Sequence, residues 1–465
     1  MPVLFAQIRL RPSVITPKSF ILDNLRPYVR TLRFLHDHDY DSDSERDAQK
    51  IYKSPSRRAF RKNPNHQFFL DALRGMKRLR SVVVDTGPGA GLPFWVLDAI
   101  FSTPQVRSVQ FGPSICLHLE DDCSVPKHLR LTGPVASLTS FRRPLRSGAP
   151  YSQKPEEADF LFYLFKQIHR TIEIVEMPIE TAPLRAFRRR DWPCLRELVL
   201  RGGPRRRSAR AFMLEHLTRM PNLRVLKLEL AYSSEAGPQC IFPPGWTGGC
   251  PWPNLEVLTV SNPHPDDELY SHLPDSVREL TIRCYPRHYV QNGPETEESM
   301  IMKMNRWGSS PLTSAEMLCV LRRCGISLVR LRHLDVEFAA SSQDIGLLRY
   351  IAAASPSLAF LQILRYTDTA QDVASWAALG DALAPLTKLR LLRVHLDLKK
   401  PPPSGSYVQW WCIKGLLSGY HIVSFATTQV VEHFGSSTHG NMNALMGIAP
   451  WMHGVPQSDV EDVNL

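Results

Sequence analysis

The sequence has no long apolar run. A membrane-spanning helix needs about 18 to 20 consecutive apolar residues, and no window of this chain approaches that length. The start, MPVLFAQIRLRP, lacks the apolar core of a secretory signal peptide. The nine cysteines are an odd number, which argues against a complete disulfide framework. We therefore expect no membrane contact, reduced thiols, and a cytoplasmic or nuclear location.

Motifs of catalysis, cofactor binding and metal binding are also missing. The sequence contains neither a G-x-S-x-G nucleophile motif nor an H-E-x-x-H zinc motif, and its cysteines never form a C-x-x-C pair. The stretch TGPGAG, residues 86–91, follows an apolar run as a phosphate-binding loop does. However, the third glycine of the dinucleotide fingerprint falls on Leu92. We expect a plain turn there, and a protein that is not an enzyme and holds no cofactor or metal.

An acidic stretch, HDHDYDSDSERD at residues 36–47, interrupts the pattern of the N-terminal region. Its alternating aspartates invite comparison with a calcium-binding loop. Such a loop needs a glycine at its sixth position and a glutamate at its twelfth, and neither fits in any frame. The stretch is interpreted as an acidic surface insertion.

Basic residues exceed acidic ones, with 56 Lys and Arg against 45 Asp and Glu and a formal net charge of +11. This balance suits an acidic protein or a nucleic acid as partner, and it equally suits a solvated basic surface. The arginine triplets at 188–190 and 205–207 leave the same alternatives open, together with a nuclear-import signal.

One phrase recurs along the chain: apolar, x, x, apolar, x, apolar. Proline often stands shortly before it, and arginine often follows the first apolar residue. Alternation of the last two apolar residues is the period of a strand with one buried face. The copies lie at 29–34, 79–84, 106–111, 195–200, 223–228, 255–260, 277–282, 331–336, 358–363 and 389–394, with a weaker one at 172–177.

Amphipathic stretches precede many copies. Residues 66–76, 208–220 and 344–354 carry apolar residues at helical spacing, and the proline that follows several such stretches stops a helix. Helix, break and strand at intervals of roughly 20 to 30 residues predict an α/β fold, an irregular leucine-rich-repeat-like solenoid. Its parallel strands lie on the concave side and its helices outside. The copies lack the Asn or Cys that regular repeats carry after the strand, and a doubly wound sheet is the alternative.

The predicted solenoid covers residues 1–398. It carries the acidic insertion at 36–47 and a loop insertion at 286–310, which is itself a candidate for partner contact because long loops of repeat proteins often lie on one face. The repeat phrase stops there, and residues 399–465 begin with PPPSGS. They are interpreted as a linker and a C-terminal tail or cap.

Outward-facing strand residues are the predicted binding site. In each phrase, the residue between the alternating apolar pair and the residue just after that pair point away from the core, so stacked strands align them in columns. The first column is Val199, Lys227, Thr259, Thr281, Asp335, Gln362 and Arg393, and the second is Arg201, Glu229, Ser261, Arg283, Glu337, Leu364 and His395. Mixed charges suit a protein better than a polyanion, whose site is uniformly basic. The alternative is that these residues are merely solvated.

Several segments resemble the repeat region of fungal F-box proteins, particularly the expanded sets of mushroom-forming fungi. They are LRELVLRGG, TRMPNLRVLKLELA, PWPNLEVLTVSNPHPDDELYSHLPDSVRELTIRCYPRHY and LTSAEMLCVLRRC, and the resemblance runs from about Leu4 to Leu398. In that family an N-terminal F-box docks a Skp-type adaptor of a cullin ubiquitin ligase, and the solenoid holds the substrate. MPVLFAQIRLRP resembles the segment that follows the F-box, and no L-P-x-E-type start precedes it. The resemblance therefore implies the substrate-holding part without the adaptor-docking part.

These observations favour a protein-interaction scaffold that resembles the substrate-recognition region of an F-box ubiquitin-ligase receptor. Two other function classes stay open. One is a basic nuclear or nucleic-acid-binding repeat protein, and the other is an enzyme whose site the motifs do not reveal.

Overall fold

The protein is described from a computed structural model. It describes residues 6–10, 20–35, 64–85, 94–112, 131, 135–144, 155–203, 212–232, 239–288, 307–308, 310–366, 376–396 and 421–422. The acidic insertion at 36–47, the TGPGAG turn, the second arginine triplet and the predicted boundary at 398/399 lie outside these residues. The chain divides into two compact units. Unit 1 comprises Met1–Arg146, Tyr151–Arg201 and His216–Asn222, and unit 2 comprises Ser147–Pro150, Gly202–Glu215 and Leu223–Leu465.

The strands of unit 1 follow one another in chain order, and each pairs in parallel with the next. The register aligns the middle apolar residue of each phrase, as in Leu32 with Val82 and Val82 with Val109. The strands are β1 Gln7–Leu10, β2 Thr31–Leu35, β3 Ser81–Asp85, β4 Ser108–Phe111, β5 Ser140–Arg142, β6 Ile174–Pro178 and β7 Glu197–Gly202.

Unit 2 repeats this arrangement. Its strands also pair in parallel in chain order, except that the short β11 pairs with the end of β12. The strands are β8 Val225–Leu230, β9 Val257–Ser261, β10 Glu279–Arg283, β11 Leu312–Thr313, β12 His333–Ala339, β13 Phe360–Tyr366, β14 Leu391–Leu396 and β15 His421–Ile422. The α/β class with parallel strands is thus confirmed.

Helices lie between strands along the chain, as parallel pairing requires. They are α1 Pro64–Gly75, α2 Phe94–Phe101, α3 Pro155–Ile168, α4 Leu184–Arg189, α5 Met213–Leu217, α6 Ser314–Cys324, α7 Asp344–Ala354 and α8 Trp376–Leu383. Short 3-10 helices span Arg26–Tyr28, Glu268–His272 and Gly325–Arg330. The helices expected at 66–76 and 344–354 are confirmed. The helix expected at 208–220 was predicted too long, because the described part of it is helical only over Met213–Leu217.

Local chemistry sets the ends of α6. The hydroxyl of Thr313 accepts a hydrogen bond from the backbone N–H of Glu316, and the Glu316 carboxylate accepts one from the N–H of Thr313. This reciprocal capping box satisfies two backbone donors that lack a partner within the helix. The helix ends at Gly325, whose φ of 53° lies in the region that favours glycine.

The core lies between one face of the strands and the helices. Leu32 and Phe34 of β2 are fully buried, whereas their neighbours Thr31, Arg33 and Leu35 are partly exposed. Aromatic contacts join strands to helices in the same unit, with ring centroids 6.2 Å apart for Phe34 and Phe69. Phe141 and Phe165 are 5.3 Å apart. Burying such side chains contributes about 1.5 to 3 kcal/mol each.

Leu361→Asp tests this assignment of buried and outward positions. Leu361 is fully buried, so an unpaired carboxylate there should lower the free energy of unfolding by about 3 kcal/mol or more. Gln362→Asp is the matched control, since Gln362 is the next residue on the same strand and is only half-buried. Leu226→Asp and Lys227→Asp form an equivalent pair on β8. Chemical denaturation followed by circular dichroism measures the difference, and equal losses within a pair would contradict the register.

Thiol labelling tests which face of α6 is buried. Cys319 is exposed and Cys324 is buried on the same helix, and burial raises the pKa of the Cys324 thiol to about 12. Because the thiolate is the reactive species, an electrophilic reagent at pH 8 should modify Cys319 quickly and Cys324 only after unfolding. Site-resolved mass spectrometry of the native and unfolded protein measures both rates. Comparable native rates would show that the helix is oriented differently.

Candidate interaction surface

The strand register of unit 2 aligns the first predicted column throughout and the second in part. Backbone pairing joins Lys227 to Thr259, Thr259 to Thr281, Thr281 to Asp335, Asp335 to Gln362, and Gln362 to Arg393. In the second column, Ser261 pairs with Arg283, Glu337 with Leu364, and Leu364 with His395. Val199 and Arg201 belong to unit 1, where they pair with Glu176 and Pro178 of β6.

Exposure divides these residues into two groups. The side chains of Arg201, Lys227, Thr281, Arg283, Gln362 and Arg393 are half-buried and reach the surface. The buried members, which the sequence had placed on an open surface, are Val199, Glu229, Thr259, Ser261, Asp335, Glu337 and Leu364. The side chain of His395 lies outside the described residues. Only the first group is therefore available for direct contact with a partner.

Hydrogen bonds compensate the burial of Glu337. One oxygen of its carboxylate accepts hydrogen bonds from the backbone N–H of Cys284, at 3.0 Å, and from Arg287 Nη1, at 2.9 Å. The other accepts from the backbone N–H of His288, at 2.7 Å, and from the hydroxyl of Tyr366, at 2.9 Å. Four donors compensate the cost of burying this charge.

Arg287 also neutralises the neighbouring buried acid. Its two terminal nitrogens reach the two oxygens of Asp335, at 2.6 and 3.4 Å, so that one guanidinium contacts both Asp335 and Glu337. Burial raises the pKa of Tyr366 well above its usual range, and the Glu337 charge raises it further. The hydroxyl thus stays protonated and serves as a donor.

The covering segment, Cys284–His288, follows β10 and contains the start of the predicted insertion at 286–310. It folds back over the strand face, where the ring of His288 contacts that of Tyr366 with centroids 4.7 Å apart. The far end of the insertion is also packed, because Gly308 N–H donates to the carbonyl of Tyr232. A side chain at Gly203 would overlap the indole of Trp307. The described ends of the insertion therefore pack against unit 2 and do not form a free loop.

A second buried ion pair lies between β8 and β10. Arg283 donates to the Glu229 carboxylate, and Glu229 is buried. At the end of β9, the hydroxyl of its last residue Ser261 and the amide of the following Asn262 both donate to the Leu230 carbonyl, at 2.8 and 2.7 Å. Side chains thus continue the hydrogen bonding where the ladder between β8 and β9 stops.

Sequence reasoning missed a third column, one that lies two residues before the first predicted column. Register aligns Val225, Val257, Glu279, His333, Phe360 and Leu391, all of which are half-buried or exposed. The alternation that predicted the other columns also places these side chains on the same face. They were overlooked because they stand at the beginning of each strand.

His333, Phe360 and Arg393 form a contact group on this face, here called the aromatic cluster. The His333 ring stacks on Phe360 with centroids 4.0 Å apart, and the Arg393 guanidinium lies 5.4 Å from the Phe360 centroid. Burial lowers the pKa of His333, and the nearby Arg393 and Lys227 lower it further against opposing contributions from Glu279 and Asp335. The imidazole is therefore neutral at pH 7.

The two acids of β12 are already paired within the chain. Both oxygens of Glu337 are occupied by fixed donors, so it is poorly placed to move a proton to or from a substrate. Among the described residues, no group of three or more His, Cys, Asp or Glu is placed to hold a metal ion. Within the same residues, no helix is long and apolar enough to span a membrane.

Comparison of the chain with protein-family models and with curated proteins found no match.

Arg287→Ala tests the covering segment. Removing the guanidinium leaves Asp335 and Glu337 buried with fewer donors, and breaking a buried pair in this way costs about 3 to 5 kcal/mol of stability. Arg349→Ala, an exposed arginine on α7, is the control and should change stability by less than about 0.5 kcal/mol. Thermal and urea unfolding measure both. An equally small effect of the two variants would show that the segment is not held by these ion pairs.

Proposed function

We propose that this chain is a protein-binding scaffold, an irregular leucine-rich-repeat-like solenoid comparable with the substrate-recognition region of an F-box ubiquitin-ligase receptor. The aromatic cluster on the strand face of unit 2 is the observation that carries the proposal. It presents a half-buried Phe360 between His333 and Arg393. Arginine and aromatic side chains in such partly buried positions are typical of the residues that dominate binding energy at protein interfaces.

The surroundings of the cluster support a protein partner. Lys227, Thr281 and Gln362 are half-buried on the same face, and Glu279 is exposed there. A basic nuclear or nucleic-acid-binding function is the alternative, but it calls for a uniformly basic surface. Glu279 and the buried Asp335 make this part of the face mixed in charge.

The order of the strands supports the solenoid. Apart from the short β11, strands that follow one another in sequence within a unit are neighbours, whereas a doubly wound sheet reverses direction at a switch point. Asn262 and Cys284 stand directly after β9 and β10, and the Asn262 N–H donates to the carbonyl of Arg283. These are the residue types that regular leucine-rich repeats carry after the strand, here one position earlier than in the regular phrase.

The receptor role rests on the resemblance to fungal F-box proteins. A scaffold of that kind holds a protein substrate and works in the cytoplasm or nucleus, where the ubiquitin machinery acts. In this proposal the strand face holds the substrate, and docking of a Skp-type adaptor is not part of it.

A photo-crosslinking experiment tests the proposed site. A photoreactive residue at Gln362, beside the cluster, should give discrete protein adducts in cells, and the same residue at Arg349 on α7 should not. Phe360→Ala should lower the Gln362 adducts by about tenfold or more, since losing an aromatic anchor costs about 2 kcal/mol of binding energy. The unfolding temperature of Phe360→Ala is measured in parallel to separate lost binding from lost folding.

Two results would decide against the proposal. Adducts of equal yield at both positions, or adducts insensitive to Phe360→Ala in a folded protein, would remove the site from the strand face. For the receptor role, proteins captured at Gln362 should be ubiquitylated more in cells that express the chain than in cells that express Phe360→Ala. Equal ubiquitylation would reduce the function to binding alone.

A further inference from the structure

Unit 1 carries a row of arginines along the edge where its strands begin. The residue directly after the first apolar residue of the phrase is Arg30 before β2, Arg80 before β3 and Arg107 before β4. The N–H of Arg80 donates to the carbonyl of Arg30, and the N–H of Arg107 to that of Arg80, both at 2.8 Å. Adjacent strands lie about 4.8 Å apart, so the three backbone positions span about 10 Å.

Hydrogen bonds fix two of these side chains. Arg80 Nη1 donates to the carbonyl of Gln105, at 3.1 Å, and Arg107 Nη1 donates to the carbonyl of Ser137, at 2.9 Å. Each guanidinium is thereby held toward the next turn, and its other N–H groups can still donate to a ligand. A cation fixed in this way loses less conformational entropy when it binds an anion.

The neighbouring positions add charge and donors. Lys77 and Arg78 are exposed on the turn that precedes Arg80. On the strands, the next residues in register are Thr31, Ser81, Ser108 and Ser140, all half-buried. Hydroxyl groups beside guanidinium groups are suited to the multiple oxygens of an anion.

The basic row is short. The carbonyl that accepts from Arg30 N–H belongs to Ala6, and the positions after Arg107 are Thr139 and then Glu173. A polynucleotide that continued along the edge would leave the basic row at Thr139 and Glu173, where Glu173 already pairs with Arg196 at 4.0 Å. An extended peptide rises about 3.3 Å per residue, so three or four residues cover the whole row.

We propose that Arg30, Arg80 and Arg107, together with Lys77 and Arg78, form a binding site for a short acidic segment of another protein. The guanidinium groups pair with its carboxylates, and the adjacent hydroxyls donate to the remaining oxygens. This site lies on unit 1 and does not depend on the aromatic cluster of unit 2.

Fluorescence anisotropy at low ionic strength tests the site with three labelled probes of equal length: oligoglutamate, oligoglutamine and oligothymidylate. The test variant is Arg30→Gln/Arg80→Gln/Arg107→Gln, in which glutamine keeps a hydrogen-bond donor. Unit 2 offers a matched control in Arg278→Gln/Arg332→Gln/Arg390→Gln, because these arginines occupy the same position of the phrase with the same pattern of exposure. Both variants change the net charge equally.

Oligoglutamate should bind the full-length protein, and oligoglutamine should not. The unit 1 variant should bind oligoglutamate about tenfold more weakly, as expected for the loss of three exposed charge contacts, while the unit 2 variant retains its affinity. Equal losses in both variants would reduce the effect to net charge and overturn the site, as would undetectable oligoglutamate binding. Tighter binding of oligothymidylate that is lost only in the unit 1 variant would replace the acidic peptide with a nucleic acid.

Discussion

A buried carboxylate must be surrounded by donors, and Glu337 imposes this requirement on the strand face of unit 2. The four groups that satisfy it come from Cys284, Arg287, His288 and Tyr366, which lie about 30 to 50 residues away along the chain. Replacing such an ion pair with well-packed apolar residues is often neutral or stabilising, so the network is weak evidence of extra stability. Its effect is conformational specificity for the covering segment. The segment Cys284–His288 supplies three of the four donors and Tyr366 the fourth, so these hydrogen bonds hold the segment over the strand face beside Asp335 and Glu337.

The accessible residues are consequently fewer than a bare row of strands would present, and they gather at the beginning of the strands. Asp335 and Glu337, which lie further along β12, are occupied by Arg287, while His333 at its start remains half-buried beside Phe360. An interface needs a central group of contacts that excludes water when the partner binds. The aromatic cluster meets this description better than Glu229, Asp335 and Glu337, whose charges are already paired within the chain.

The strand face shows how far sequence reasoning reaches. Alternation within one phrase predicts which side of a strand each residue occupies, and repetition of the phrase predicts register. The backbone pairing of unit 2 aligns the first column throughout and the second column in part. The exposure of these residues was predicted wrongly in part, because the burial of Asp335 and Glu337 involves Cys284–His288, a segment outside the phrase. Strand β5 was missed for a related reason. The third position of its phrase, which is apolar in the other copies, is Arg143, directly after the strand. This arginine is buried and pairs with Glu157 of α3 at 2.7 Å. A buried arginine gives no hydrophobic signal, and its partner lies in a different element.

Hydrogen bonds give a physical reason for the arginine that often follows the first apolar residue of the phrase. Arg80 and Arg107 donate to carbonyls of the next turn, and Arg278 donates to the carbonyls of Asp275 and Val277 in its own turn. These carbonyls would otherwise depend on water, so the arginine is favoured by the fold alone. Repeating this arginine also places positive charge along the edge where the strands begin. Whether that edge is basic depends on the residues at the same position of the intervening strands. In unit 2, Glu256 follows Arg224 at the same position and pairs with it at 3.4 Å, and the positions after Glu256 are Arg278, Arg332, Ala359 and Arg390, with the exposed Glu279 directly after Arg278. In unit 1, three arginines follow one another before Thr139 and Glu173, which makes this short edge basic although each arginine already has a structural reason to be there.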